Sequence, residues 1–231
     1  MSVTAVPGPR GKARRDTWRW KSTGATRDNV LTAALELFTE RGYSHVKLTD
    51  VLTRAGVSTG SFYHHFAAKQ DLFTELWRDH CAGQDRAAAA AQAAARRAGL
   101  RDPVELWAAG VRGLLQHTWR RRERARLFAA GEVPPDFDAL RRERDDLLAR
   151  RTSGALELAG GAEGDLYAGC LQGLIGAGVQ AVTEAGTAGQ AQDAIDATLR
   201  YCLRFIACCP RPDAQGDRPA CAAGNGRDTS P

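Results

Sequence analysis

The sequence predicts an all-α protein. Apolar residues recur at three- and four-residue spacing along most of the chain, and no segment alternates polar and apolar residues as a half-buried strand does. Hydrophobic residues make up 43% of the 231 residues and charged residues 26%, which is the balance of a globular protein. A chain of this length can form one large domain or two smaller ones.

The first 24 residues differ from the rest of the chain. They are rich in Pro, Gly and Arg and have no apolar period, so we predict a disordered basic arm at 1–24. Residues 1–21 carry six Lys and Arg against one Asp, a charge of +5 that equals the net charge of the whole chain. The remainder is close to neutral, so charge alone does not identify a nucleic-acid partner. No apolar stretch follows the basic residues as in a signal peptide, which predicts a cytoplasmic protein.

A first amphipathic helix is predicted to begin at Arg27. Thr26 is the expected N-cap, and Gly42 is the expected stop. The apolar residues of this helix fall on one face, at Val30, Leu31, Ala34, Leu37 and Phe38.

Two short helices follow, joined by a turn that contains glycine. The first covers 48–55 and ends at Gly56, which can adopt the positive φ of a helix terminus without strain. The second covers 59–66 and is capped by Ser58. This arrangement is a helix-turn-helix, whose second helix enters the major groove of DNA. A longer fourth helix completes the predicted DNA-binding domain, residues 25–80.

Helical patterns continue through residues 81–209, which predicts a C-terminal helical bundle. Asp102 is an expected N-cap, with Pro103 in the first turn. Later helices are predicted at 137–159, 164–185 and 189–208. Residues 210–231 are Pro, Gly and polar, which predicts a disordered tail.

Three runs of residues between Arg27 and Phe73 are specific in combination. They are V-L-x-A-A-L-E-L-F-x-E-R-G-Y, D-V-L-x-R-A-G-V-S-x-G-S-F-Y-H-H-F and K-x-D-L-F. Together they resemble the DNA-binding domain of the TetR family of bacterial transcriptional regulators. The resemblance implies a repressor that binds a palindromic double-stranded DNA operator as a homodimer and is released by a small-molecule effector, whose identity the sequence does not reveal.

The resemblance also implies which residues contact DNA. Tyr63 and Lys69 correspond to residues that hold phosphates, and the positions that face the groove are Thr59, Gly60, Ser61 and His64. The chain departs from the commonest pattern at Lys47, where members often have a Thr or Ser cap. Either Thr49 provides that cap, or Lys47 reaches a phosphate. The full expected set is Arg27, Lys47, Thr49, Ser58, Thr59, Gly60, Ser61, Tyr63, His64 and Lys69.

Two further sites are expected in the C-terminal bundle. Aromatic residues are candidates for the wall of a ligand pocket: Trp107, Phe128, Phe137 and Tyr167. A strip of small residues within 164–185 would let another helix come close, and an apolar stripe within 189–208 would complement it. The predicted dimer interface comprises Gly169, Gly173, Ala177, Ile195, Leu199, Leu203 and Ile206. The rival interpretation is that both helices close the core of their own subunit.

Catalytic, metal-binding and cofactor-binding functions are not expected. The sequence has no G-x-S-x-G, phosphate-binding loop or H-E-x-x-H. His64 and His65 are adjacent and point about 100° apart on a helix, and the six cysteines form no C-x-x-C pair. A constitutive DNA-organising protein without an effector stays open as an alternative. A membrane helix at 166–182 is more distant, since a span needs about 20 mostly apolar residues.

Overall fold

The computed structural model describes residues 12–129 and 133–208, with side chains from residue 25 onward. The predicted C-terminal tail and residues 1–11 lie outside the described residues. The described part is helical, as predicted, and has no strand. Its helices are α1 (Lys12–Arg41), α2 (Leu48–Ala55), α3 (Thr59–Tyr63), α4 (Lys69–Arg97), α5 (Pro103–Arg120), α6 (Arg122–Ala129), α7 (Phe137–Ala155), α8 (Ala162–Glu184) and α9 (Ala188–Cys208).

α1 begins earlier than the sequence pattern predicts. The backbone is helical from Lys12, so Thr26 lies inside the helix and is not its N-cap. The prediction of a disordered arm is therefore wrong for residues 12–24. Lys, Ala and Arg predominate at the start of this segment and favour a helix, and no proline interrupts it.

The helix-turn-helix elements lie where they were predicted. α2 ends at Gly56, which has a φ of 65°. α3 ends at Tyr63 rather than at Phe66, because the chain turns after α3 and brings the Phe66 ring onto the Phe62 ring, with 5.5 Å between centroids. Phe62 is fully buried, so this pair anchors α3 in the core.

α7 also ends earlier than predicted, at Ala155. Leu156 and Leu158 beyond it are 1% and 9% exposed, and Glu157 between them has a φ of 53°. The chain leaves the helix here because both leucines pack into the C-terminal core.

The DNA-binding domain shares its core with the bundle. Phe128 of α6 and Phe137 of α7 pack edge-on against Phe73 of α4, with centroid separations of 5.3 and 5.0 Å. All three are members of the core that α1–α4 build. The N-terminal core therefore includes residues of α6 and α7, beyond the predicted boundary at residue 80, and α4 runs through both parts.

The C-terminal core lies between α4, α5, α7, α8 and α9. α4 and α5 approach so closely that a Cβ on Gly113 would lie 2.7 Å from the carbonyl oxygen of Ala87. α8 and α9 are similarly close, because Gly178 packs against the side chain of Thr198. Glycine is required at both positions by the neighbouring helix rather than by the backbone angle.

α8 is also long and apolar enough, by length and composition, to cross a membrane. Its mean hydropathy in the relevant window is 1.2, and one of its faces is buried in the bundle through Leu171, Ile175 and Val182. A core helix of a helical bundle passes the same test, so the observation is weak evidence for a span.

Candidate DNA-binding site and C-terminal cavities

α3 presents a small polar surface on a firmly held backbone. The Ser58 hydroxyl accepts a hydrogen bond from the Ser61 amide at 3.2 Å, so Ser58 caps the helix as predicted. Of the four predicted groove-facing residues, three are exposed and Ser61 is half-buried. A Cβ added at Gly60 would have no neighbouring atom within 4 Å. The exposed three are Thr59, Gly60 and His64.

Tyr63 stands at the end of α3 beside this surface. Its side chain is 56% exposed, and its ring contacts the buried Phe62 edge-on at 5.2 Å between centroids. The contact supports one side of the ring and leaves the rest open to a partner.

Lys69, the other predicted phosphate contact, is bound within the protein. Its ammonium donates hydrogen bonds to the carbonyl oxygens of Tyr43, at 2.9 Å, and Val46, at 2.8 Å. It also lies 4.0 Å from the centroid of the Tyr43 ring. Burial lowers the pKa of Lys69. The side chain therefore fastens the loop between α1 and α2 to α4, and an ammonium has one further N–H to offer.

The start of α2 is fixed from within the helix. Lys47 occupies the N-cap position, and the Asp50 carboxylate accepts a hydrogen bond from the Lys47 amide at 3.0 Å. Thr49 lies in the first turn, where its carbonyl oxygen accepts a hydrogen bond from the Thr53 hydroxyl at 2.8 Å. Thr49 is therefore not the cap. The side chain of Lys47 is exposed.

Arg27 points toward α4. Its guanidinium donates a hydrogen bond to the Glu75 carboxylate at 2.6 Å and lies 5.5 Å from the centroid of the Phe66 ring. Arg27 thus joins α1 to α4 beside the helix-turn-helix.

The four aromatic residues expected to line a pocket do not converge. Phe137 and Tyr167 are buried in the N-terminal and C-terminal cores respectively. Trp107 lines one cavity, of about 320 Å³, and Phe128 lines another, of about 370 Å³. Two of the four thus line cavities, and the other two pack in the cores. We call these spaces the Trp107 cavity and the His80 cavity.

His80 was missed by the sequence analysis. It is 4% exposed, lines the His80 cavity, and its Nδ1 atom has no hydrogen-bond partner. Burial, with a contribution from the nearby Arg124, lowers its pKa to about 4, so the imidazole is neutral at pH 7. A signal was present in the sequence, because His80 and Gln84 continue the apolar i, i+4 stripe of Leu72 and Leu76.

A charged cluster joins α4 to α7. The Asp85 carboxylate accepts hydrogen bonds from Arg144, at 2.7 and 3.0 Å, and forms an ion pair with Arg151 at 2.9 Å. The Arg144 side chain is 9% exposed. Asp145 on the same helix also interacts with the charge of Arg144, so two guanidinium groups stand beside two carboxylates here.

The predicted dimer interface divides into two groups. Gly169, Gly173 and Ala177 are exposed on α8, and Leu203 on α9 is 40% exposed. Ile206 is partly buried. Two other residues were assigned wrongly, because the α9 stripe turns inward to the core of its own subunit. They are Ile195 and Leu199, which are 2% and 4% exposed.

Similarity to known proteins is strongest in the N-terminal domain. A family model described as bacterial regulatory proteins, tetR family, matches residues 30–76. The transcriptional regulator AcrR of Shigella flexneri is 44% identical over 52 residues, which are 22% of this chain and 24% of that protein. The transcriptional repressor KstR2 of Mycolicibacterium smegmatis is 38% identical over 53 residues, 23% of this chain and 26% of that protein. The chain thus spans about a quarter of the length of the curated relatives it matches.

The fold itself is shared over a greater length. A crystal structure from Syntrophomonas wolfei, of a protein assigned to the TetR family of transcriptional regulators, has a TM-score of 0.65 and 18% sequence identity. The match covers 79% of this chain and 95% of that one. Residues 30–76 thus match the tetR family of bacterial regulatory proteins, and most of the chain shares its fold with a structure assigned to that family.

Proposed function

We propose that the protein is a cytoplasmic transcriptional repressor that binds a palindromic DNA operator as a homodimer and releases it when a small molecule occupies the bundle. The observation that carries the proposal is the surface of α3. Thr59, Gly60 and His64 are exposed on a helix whose start is fixed by Ser58 and whose inner face is fixed by Phe62. A rigid short helix with an exposed polar face is suited to a major groove.

The residues of this surface divide by role. Tyr63 and Lys69 stand at the ends of α3 and α4 and would contact phosphates, which position a protein on DNA without reading its sequence. Thr59 and His64 would contact base edges and determine which operator is preferred.

The open face of α8 supports the dimer. Gly169 and Gly173 have nothing within 4 Å of where a Cβ would stand, and Leu166 on the same helix is 69% exposed. Leu203 and Tyr201 of α9 are also exposed. A second copy of this surface would cover apolar residues that water now contacts, and paired recognition helices would then reach major grooves about 34–36 Å apart.

α4 supports a response to a ligand. It carries Lys69 at its first residue, beside α3, and Asp85 further along, at the wall of the Trp107 cavity. Sixteen residues of helix separate them, or about 24 Å. A ligand that binds the DNA-bound and released forms unequally shifts the equilibrium between them. The two cavities favour this function over a constitutive DNA-organising protein.

Fluorescence anisotropy on a selected operator tests the proposal. DNA fragments are first selected from a random pool with the full chain, and affinity is then measured over a salt titration. Tyr63→Ala should weaken binding to all sequences, whereas His64→Ala should change which sequence is preferred. Arg142→Gln, a charge removed from an exposed site on α7, is the control and should bind as the wild type does.

Lys69→Ala distinguishes two roles. If its ammonium binds a phosphate, affinity falls and the slope of log K against log salt becomes shallower by about 0.9. If Lys69 only fastens the loop at Tyr43, affinity falls with the slope unchanged. Failure of the pool to yield any palindromic site that binds above background would contradict the proposed function.

A further inference from the structure

The Trp107 cavity and the His80 cavity are adjacent. Residues from α5, α7 and α8 line both of them, so the two spaces meet across a common wall. The shared residues are Leu114, Leu148, Gln172 and Ile175. The two spaces lie on either side of these four side chains, and we treat them as the two lobes of one elongated site.

The charged cluster lies at the meeting of the lobes. Asp85 and Arg151 line the Trp107 cavity, and Arg144, to which Asp85 is bonded, lines the His80 cavity. Asp85 is already bonded to both guanidinium groups. The Asp85 carboxylate is therefore occupied, whereas the Arg144 guanidinium keeps its Nε–H for a ligand.

Two buried polar atoms in the His80 cavity have no partner. Arg144 uses its two terminal nitrogens on Asp85 and leaves its Nε–H without an acceptor. Nδ1 of His80 has no hydrogen-bond partner either. A buried donor without an acceptor destabilises the fold, and more so when the group is charged. On a cavity wall such an atom is available to a water molecule or to a polar group of a ligand.

The remaining walls are mostly apolar and aromatic, with Trp107 in one lobe and Trp77 in the other. Two other carboxylates line the His80 cavity: Glu184 is exposed, and Asp145 is partly desolvated, since burial raises its pKa. Neither is buried as deeply as Arg144, whose side chain is 9% exposed. The deep charge that a ligand meets is therefore Arg144. An anion would gain a charge-assisted hydrogen bond at its Nε–H, whereas a cation would meet no buried free carboxylate among these residues.

We propose that the two lobes together bind an elongated, largely apolar monocarboxylate whose carboxylate accepts a hydrogen bond from Nε of Arg144. This inference rests on the ligand-responsive function proposed above and names the class of effector. The apolar body of the ligand extends past Leu148 and Ile175 from one lobe into the other.

Isothermal titration of the free full-length protein with three matched probes tests the class. The probes are phenylhexanoate, phenylhexanamide and phenylhexylamine, which share a body and differ in charge. We expect the carboxylate to bind at least about tenfold more tightly than either of the others. Equal affinity for acid and amide, preference for the amine, or no binding of any probe would overturn the proposal.

Arg144→Gln tests the residue. It should remove the preference for phenylhexanoate over phenylhexanamide and leave affinity for the amide unchanged, whereas Arg142→Gln should keep the preference. Circular dichroism shows whether Arg144→Gln folds. If it does not, the double variant Asp85→Asn, Arg144→Gln is used in its place, because it removes both charges of the ion pair. If the variant without Arg144 still prefers phenylhexanoate to phenylhexanamide, the carboxylate binds elsewhere and the proposed site is refuted.

The outcome is separable from that of the proposed function because no DNA is present. If the protein prefers the carboxylate probe but binds no operator, the proposed ligand class stands and the proposed repressor function is contradicted. If it binds an operator but shows no preference for the carboxylate, the repressor function stands and the ligand class is contradicted.

Discussion

Replacing His80 with leucine should remove part of the acid sensitivity of the fold. The pKa of His80 is lowered from 6.5 to about 4, first by burial and then by Arg124, His117 and Arg144. Between these two values the unfolded chain binds a proton that the folded protein does not bind, so stability falls as the pH falls through this window. One pKa unit corresponds to about 1.4 kcal/mol. His80 should therefore lower the free energy of unfolding of the wild type by about 2.5 kcal/mol as the pH falls from about 7 to about 4.5.

Urea unfolding at fixed protein concentration, followed by circular dichroism at several pH values, measures this difference. Leucine is close to histidine in volume, so the free energy of unfolding of His80→Leu should lie within about 1.5 kcal/mol of the wild type at neutral pH. On acidification the variant should lose about 2.5 kcal/mol less stability than the wild type. Gln84→Leu, one turn along α4, is the control, because it removes the hydrogen bond to Thr118 but no titrating group. If wild type and His80→Leu lose stability in parallel across the window, His80 is not held neutral and the argument from its burial is wrong.

Two further predictions concern packing. Gly113→Ala should destabilise the fold by about 1–3 kcal/mol despite the better helix propensity of alanine, because its Cβ would lie 2.7 Å from the backbone oxygen of Ala87. Gly154→Ala, with open space around it on α7, should be neutral or stabilise by up to about 1 kcal/mol in the same thermal or urea melts, and equal effects of the two would refute the packing argument. Ile195→Ala should lower unfolding free energy by about 2–5 kcal/mol. Leu203→Ala should instead weaken self-association in sedimentation velocity with little change in folding, and the reverse pattern would place the interface elsewhere.

The helix-turn-helix could be predicted from sequence because its signals are local. Gly56 ends α2, and Ser58 caps α3 through an amide three residues away. The start of α1 was placed too late because the apolar period begins only at Val30, whereas helix formation upstream needs favourable residues but no buried face. The end of α7 was placed too late because Leu156 continues the apolar pattern while the chain leaves the helix to bury it.

The directions of individual side chains could not be predicted in the same way. Lys69 fits the family pattern of a phosphate contact, yet its ammonium bonds to carbonyl oxygens 23 and 26 residues away. Ile195 and Leu203 belong to one stripe on α9, but only the surrounding helices decide that the first is buried and the second exposed.

The sequence by itself determined the all-α class, the turn between α2 and α3, and the polar face of α3, since spacing, capping and glycine act within a few residues. Only the tertiary structure decided that the candidate effector site is charged. Asp85 and Arg144 are 59 residues apart and meet because α4 and α7 pack together. The apolar spacing within each helix does not reveal this ion pair, because a contact between two helices depends on how the core positions them.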